Sequence, residues 1–406
     1  MRFKNSTLVL LLAAFLLTLL LPAQASAGSQ VSDHKKFSGD NPLGVSRAEF
    51  AATQTGMDLI YQRRYREALE HFEGMGFDFP DSPVGPIGRA LVHQSAMFEN
   101  YDFSRERAYQ TEIAEFQARL GPAQRSSRTP EWISFLNGVY LGVDAMYDVR
   151  KKRYVRAFDK AWDALEEMKR VQRRAPEFVD VQLALGVYNY WRTVLTESIK
   201  VLPRFGDRRA EGLAQLRAAR QRGLLAGVPA SFALTFSLIE GGNTTAAIEE
   251  AQTTGVQYPQ SVLNQMILAQ AYRKAKRFDE SLALLATVLE RTPEVERAWF
   301  AIAEVHYTAR TNNDAARAAY KRYLKSDPVP AYTAYTFYRL GQLEARSRNY
   351  EAAISFYERA LAIEPKFSRA KKRLEDATKS LAKARDKKEK SAVPRAKSRV
   401  RSRKSG

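Results

Sequence analysis

The apolar positions of this chain recur at helical spacing, in short runs separated by polar turns. One pair of runs is clear near the C-terminal end, where a run containing Leu340 and Gly341 is followed by a turn at Ser347–Asn349 and a second run from Tyr350 to Leu361. There is no sustained period-two alternation, and no Asn-Gly or Asp-Gly turn lies between β-branched runs. The pattern predicts an all-α protein built from helical hairpins.

The hairpin pattern repeats about every 34 residues. Four prolines mark its period, and a small residue lies twelve positions before each one: Ala247 and Pro259, Ser281 and Pro293, Ala316 and Pro328, Ala353 and Pro365. A fixed period of this size indicates stacked copies of one unit, none of which buries its apolar face alone. We therefore predict an α-solenoid of about eight antiparallel helical hairpins between residues 46 and 366. The copies are degenerate in residues 46–226 and regular in residues 227–366.

The last copy shows why these residue types recur. Gly341, Ala353 and Ala360 are small where two helices approach closely, Tyr357 fills the space between hairpins, and Pro365 ends the second helix. This arrangement resembles the tetratricopeptide repeat family. The resemblance implies a right-handed superhelix whose inner groove binds a peptide or protein partner.

The same resemblance implies which residues line the groove, because the first helix of each repeat faces it in this family. The groove candidates on the regular copies are Gln270, Arg273, Phe300, Glu304, Tyr335, Tyr338 and Gln342. Phe300, Tyr335 and Tyr338 are expected to present aromatic surface that no neighbouring helix covers. The Lys and Asn residues with which one subset of the family grips acidic C-terminal peptides are missing at the corresponding places, which hold Met266 with Gln270 and Phe300 with Glu304.

Residues 183–223 depart from the simple repeat. They are similar to a stretch of the tetratricopeptide proteins linked to inclusion-body clearance, and this similarity supports an insertion around Pro203 and Gly206. Asp207 is placed to cap the helix that follows. Tyr190 and Trp191 either pack between hairpins or form an exposed aromatic anchor for a peptide or an acyl chain.

The N-terminal residues 1–27 have the order of a secretory signal peptide. Arg2 and Lys4 precede an apolar run from Leu8 to Leu21, and small-x-small cleavage sites end at Ala25 and Ala27. The run is short for a membrane span, which needs about 20 residues. We expect export to the periplasm or secretion, with an uncleaved membrane anchor as the alternative. Residues 28–45 are predicted to be a flexible lead-in.

Positive charge is concentrated at the C-terminal end. Residues 366–406 contain 17 Lys or Arg and 4 Asp or Glu, a net charge of +13 out of +19 for the whole chain. We predict a polar capping helix over residues 367–390 and a disordered basic tail over residues 391–406. The tail suits an anionic membrane or envelope surface, or serves only as a solubilising terminus; nucleic acid is disfavoured because no aromatic residues interleave with the basic ones.

The sequence contains no recognisable catalytic, nucleotide-binding or metal-binding motif. There is no cysteine, the four histidines are widely separated, and no phosphate-binding loop or nucleophile elbow occurs. The sequence thus predicts a non-catalytic protein-binding scaffold without metal or cofactor. A lipid- or hydrophobe-binding solenoid and an accessory subunit of an envelope enzyme remain as alternatives.

Overall fold

The computed structural model describes residues 43–126, 129–198 and 206–392. Within these ranges the chain forms seventeen α-helices and one short 3-10 helix (Val179–Val181), with no β-strand. The helices divide into an N-terminal unit that ends at Leu284 and a C-terminal unit that begins at Leu285. The predicted signal peptide, residues 28–42 of the lead-in, residues 199–205 of the predicted insertion and residues 393–406 of the tail lie outside the described residues.

The N-terminal unit contains five complete antiparallel hairpins. Their helices are α1 (Arg47–Tyr61) with α2 (Tyr65–Asp78), α3 (Val84–Asn100) with α4 (Glu106–Ser126), α5 (Pro130–Arg150) with α6 (Tyr154–Arg174), α7 (Gln182–Ser198) with α8 (Arg209–Arg222), and α9 (Gly227–Glu240) with α10 (Thr244–Gln257). Next comes α11 (Val262–Lys274), and its partner α12 (Phe278–Arg291) spans the boundary between the units.

The C-terminal unit contains two hairpins and a terminal helix. Its helices are α13 (Arg297–Ala309) with α14 (Asn313–Leu324), α15 (Pro330–Arg346) with α16 (Tyr350–Ile363), and the single helix α17 (Ser368–Ala392), which packs on α16. The prediction of an all-α solenoid is confirmed. Seven helix pairs of the described chain each lie within one unit, and α12 contacts α11 through the Ser281 hydroxyl, which donates to the Ala269 carbonyl at 2.7 Å.

Side-chain caps and small residues explain the hairpin boundaries and packing. The side-chain oxygens of Ser46, Asn243 and Asn312 each accept a hydrogen bond from the backbone N–H three residues later in the chain, at 2.9–3.2 Å. A Cβ atom on Gly341 would lie 2.6 Å from the Tyr357 ring, so only glycine lets this ring pack against α15. The predicted close helix contact is therefore present.

Two carboxylates organise the irregular middle of the N-terminal unit. Asp180 is 2% exposed and accepts the backbone N–H groups of Leu224, Leu225 and Ala226 at 3.0, 2.6 and 2.6 Å, just before α9 begins. Asp207 accepts the N–H of Arg209, the first residue of α8, at 2.9 Å, although the N-cap position itself is Arg208, whose side chain makes no capping bond. The connection between hairpins four and five is thus held by backbone bonds to a buried side chain.

The start of the described chain is packed rather than extended into solvent. Leu43 and Val45, which the sequence assigned to a flexible lead-in, are 1% and 4% exposed and belong to the core of the N-terminal unit. They are apolar residues in a polar segment, and the hydrophobic effect buries them. None of the helices in the described ranges has both the length and the apolar character needed to cross a membrane.

Candidate functional site

The predicted groove residues of the C-terminal unit come together on two consecutive first helices. Phe300 and Glu304 lie on α13, and Tyr335, Tyr338 and Gln342 lie on α15. We call the surface lined by α13, α15 and α17 the first-helix face. The chemistry of this face differs from the sequence expectation in two respects: one charged residue is neutralised internally, and the three aromatic candidates are partly or fully covered.

Glu304 is held in a buried ion pair with Arg339. The Nε and Nη2 atoms of Arg339 donate to the two Glu304 carboxylate oxygens at 2.7 and 3.0 Å, and the Tyr320 hydroxyl donates to Oε1 at 2.5 Å. Glu304 is 7% exposed. Burial, followed by the Glu304 charge, raises the pKa of Tyr320 well above its ordinary value, so this hydroxyl stays a donor. Glu304 is thus neutralised within the fold and adds no net charge to the first-helix face.

Aromatic rings and one amide complete the surroundings of Arg339. Its guanidinium lies 4.1 Å from the centroid of the Tyr307 ring and 4.8 Å from that of Tyr335. The Gln342 side-chain oxygen accepts from the Tyr307 hydroxyl at 2.9 Å and from Arg339 Nη1 at 3.1 Å, while its nitrogen donates to the Tyr338 hydroxyl at 3.1 Å. This satisfied network fixes the side chains of the face.

The expectation that Phe300, Tyr335 and Tyr338 are uncovered is wrong for Tyr338, whereas Phe300 and Tyr335 are half-buried. Tyr338 is 5% exposed, and its ring lies 5.0 Å from Phe367. Phe300 is half-buried, with ring centroids of Tyr332 and Tyr323 at 5.0 and 5.3 Å. Large apolar rings on a first helix are drawn between hairpins because burial of each contributes about 2 kcal/mol. Tyr335 is half-buried like Phe300, and these two rings give the face its accessible aromatic surface.

The two aromatic candidates of the N-terminal unit are core residues. Tyr190 is 1% exposed and donates to the Ser237 carbonyl at 2.6 Å and to Glu240 Oε2 at 2.9 Å; Trp191 is 7% exposed. The interpretation of this pair as an exposed anchor is therefore wrong, and its packing between hairpins is correct. Gln270 and Arg273 are half-buried on α11, in the N-terminal unit.

The sequence analysis missed a basic pocket between α15 and α17. This pocket has a volume of about 390 Å³ and is lined by Tyr338, Arg369, Lys372, Arg373 and Asp376. Three cations and one carboxylate give it an excess of two positive charges, and the closest charged pair within it joins Arg373 Nη1 to Asp376 Oδ2 at 3.6 Å. It is the strongest feature of the first-helix face for binding a negatively charged group.

The repeat period itself contains the signal for this pocket. Adding one 34-residue period to Tyr335, Tyr338 and Gln342 gives Arg369, Lys372 and Asp376. A capping role for residues 367–390 does not by itself extend the groove register into α17. Arg339 was missed because it lies between the groove positions that the family resemblance supplies.

Comparison with known proteins places the chain among helical-repeat proteins. Two models of the tetratricopeptide repeat match, one over residues 268–330 and the other over residues 334–367. The class is thus an all-α repeat solenoid. The chain contains tetratricopeptide repeats within residues 268–367, and proteins with such repeats are generally non-catalytic scaffolds that mediate protein–protein interactions.

Two solved structures resemble the fold. One is a tetratricopeptide repeat protein from Parabacteroides merdae, which is 14% identical over 70% of this chain and 98% of its own, with a TM-score of 0.44. The other is the P58(IPK) TPR domain, which is 12% identical over 83% of this chain and 99% of its own, with a TM-score of 0.26. No curated protein sequence matches the chain.

Proposed function

We propose that the protein is an exported, non-catalytic scaffold that binds an acidic segment of a partner protein on the first-helix face of its C-terminal unit. The observation that supports this most strongly is the basic pocket beside Tyr338. Lys372 and Arg373 are exposed and Arg369 is half-buried, so a ligand carboxylate can reach all three cations.

The neighbouring helices make the face suited to a mixed acidic and apolar segment. Because Glu304 is paired with Arg339, its carboxylate does not repel an acidic ligand. The half-buried Tyr335 ring supplies apolar surface next to the basic pocket. A partner segment in which an apolar side chain precedes carboxylates would place the apolar side chain against Tyr335 and the carboxylates at Arg369 and Lys372.

Export is inferred from the N-terminal residues. The order of Arg2, Lys4, the apolar run and the small-x-small sites is typical of a secretory signal peptide. The basic residues beyond α17 supply a second, electrostatic contact to an anionic envelope surface. The scaffold would then hold its partner close to that surface.

A charge-matched comparison tests the groove assignment. Fluorescence anisotropy would measure the binding of labelled acidic peptides to the parent and to two variants. The first variant, Arg369→Glu/Lys372→Glu, reverses the charge of two pocket cations. The control, Lys371→Glu/Lys383→Glu, makes the same charge change at exposed sites of α17 outside the pocket. We expect the pocket variant to bind at least tenfold more weakly, about 1.4 kcal/mol, and the matched variant to lose much less. Equal losses would mean that general electrostatics, not the pocket, attracts the peptide.

A further inference from the structure

A second pocket lies in the N-terminal unit, on a surface where α2 and α4 flank α3. Its volume is about 470 Å³. Helix α2 contributes Leu69, Glu73, Gly76 and Phe77, helix α3 contributes Arg89 and His93, and helix α4 contributes Glu112, Glu115 and Arg119. We call it the acidic pocket, because its three carboxylates outnumber its two guanidinium groups.

Two of the three carboxylates of the acidic pocket form ion pairs within it. Arg89 donates from Nε to Glu112 at 2.8 Å and from Nη2 to Glu115 at 2.7 Å, and Arg119 also pairs with Glu115 at 2.7 Å. Among the described residues Glu73 has no cation within 4 Å, and its side chain is exposed. Burial raises the pKa of Glu112 and Arg89 lowers it, while the negative charges of Glu115 and Glu73 raise it further. The pocket is therefore short of one positive charge.

His93 is an independent sign that the acidic pocket takes a ligand. The residue is 7% exposed, and its Nδ1 atom is buried without a hydrogen-bond partner among the described residues. Burial, followed by the positive charges of Arg105 and Arg89, lowers the pKa of His93 to about 4, so the imidazole is neutral at physiological pH. An unpaired polar atom of this kind costs about 1–3 kcal/mol.

Phe77 indicates the apolar part of the ligand. It lies at the pocket with 79% of its surface exposed, and Leu69 lines the same wall. Together these two side chains give the pocket an apolar rim. An alkyl chain that ends in a cationic nitrogen matches the whole set, with carbon against Leu69 and Phe77 and the charge at Glu73.

From this geometry we propose that the acidic pocket binds an alkyl-ammonium or alkyl-guanidinium group, the chemistry of a lysine or arginine side chain. This site is separate from the groove of the C-terminal unit and has the opposite charge preference. The exposed area of Phe77 extends beyond what a small free amine covers, so a basic residue within a peptide uses the site more fully than the amine alone.

The experiment follows the ring signal of His93 by nuclear magnetic resonance in the full chain. Only four histidines are present, so His93→Gln assigns the signal. Butylammonium chloride, a capped Ala-Lys-Phe peptide and sodium butyrate serve as probes at matched ionic strength. We expect saturable shifts with the two cations, with a dissociation constant near 1 mM or below for the peptide and weaker binding for the amine. Butyrate should give no saturable shift.

Variants on α2 separate the pocket from surface charge. Glu73→Gln should weaken cation binding about fivefold or more. Gly76→Leu should block cation binding, because the new side chain would occupy the pocket: a Cβ atom at Gly76 has no neighbour closer than 3.8 Å and points toward Arg119. Glu70→Gln removes an exposed carboxylate of the same helix outside the pocket and should bind like the parent. Absence of a saturable shift, an equal response to butyrate, or parental binding by Glu73→Gln overturns the proposal. Amine binding as tight as peptide binding overturns the role of Phe77.

Discussion

At the scale of single residues, Gly341 is the position where the repeat pattern makes its sharpest prediction. A Cβ atom there would lie 2.6 Å from Tyr357 Cε1 and 3.1 Å from the Ala353 carbonyl oxygen, so a larger side chain must displace a buried ring or backbone. We expect Gly341→Leu to lower the stability of the C-terminal unit by about 1–3 kcal/mol. Thermal melts followed by circular dichroism measure this loss.

Gly142 is the matched control for this substitution. It also lies within a helix, α5, but a Cβ atom there has no neighbour within 4 Å. Gly142→Ala should therefore raise stability by about 0.5–1 kcal/mol through helix propensity, whereas Gly341→Ala should lower it. If Gly341→Leu melts with the parent, the assignment of Gly341 to a close helix contact is wrong.

Side-chain contacts within one hairpin were predictable from the sequence, because the small and apolar positions repeat in every copy. Contacts with residues of the next hairpin were not. Gly341 and Tyr357 belong to one hairpin, so their contact follows from spacing alone. The burial of Tyr190 depends on Ser237 and Glu240 of the next hairpin, and the neutralisation of Glu304 depends on Arg339, which lies 35 residues away. A pattern of small and apolar positions does not contain those pairings.

At the scale of helices, Asp180 is the main support of α9. Its buried carboxylate accepts three consecutive N–H groups that precede this helix. Asp180→Ala leaves those donors without an acceptor, and we expect a loss of about 2 kcal/mol or more. Amide hydrogen exchange should show faster exchange in residues 224–240 and no change in the C-terminal unit.

Asp207 provides the comparison for Asp180. It also accepts an N–H at a helix start, but its side chain is 55% exposed, so water replaces the lost bond in Asp207→Ala. We expect a change within about 0.5 kcal/mol. Equal exchange profiles for the two variants would show that burial of the Asp180 carboxylate does not matter to α9.

At the scale of the whole molecule, the basic C-terminal end is predicted to act separately from the fold. Deleting residues 391–406 removes six positive charges and no negative ones. Helical content should stay almost unchanged, while retention on anionic lipid vesicles should fall and become less sensitive to salt. Equal retention of the two forms would leave these residues as a solubilising terminus.

The extent of the solenoid was predictable from the sequence, but the basic pocket on the proposed binding surface was not. The period that gives the hairpins also continues into α17, where charge replaces apolar residues at Arg369, Lys372 and Asp376. A helix with a net positive composition looks like a solvated cap when its register is ignored. The structure shows that three of its cations and Tyr338 line one pocket.

The central claim is that the first-helix face of the C-terminal unit is the partner-binding surface, and site-specific photo-cross-linking tests it most directly. A benzophenone-bearing phenylalanine would replace Tyr335 on that face or, as the control, Tyr350 at the start of α16; both tyrosines are half-buried and their replacement leaves the pocket cations intact. In envelope extract, we predict cross-linking of a partner from position 335 that excess acidic peptide suppresses, with little from position 350. Cross-linking from position 350 alone, or equal yields that the peptide does not reduce, would contradict the account.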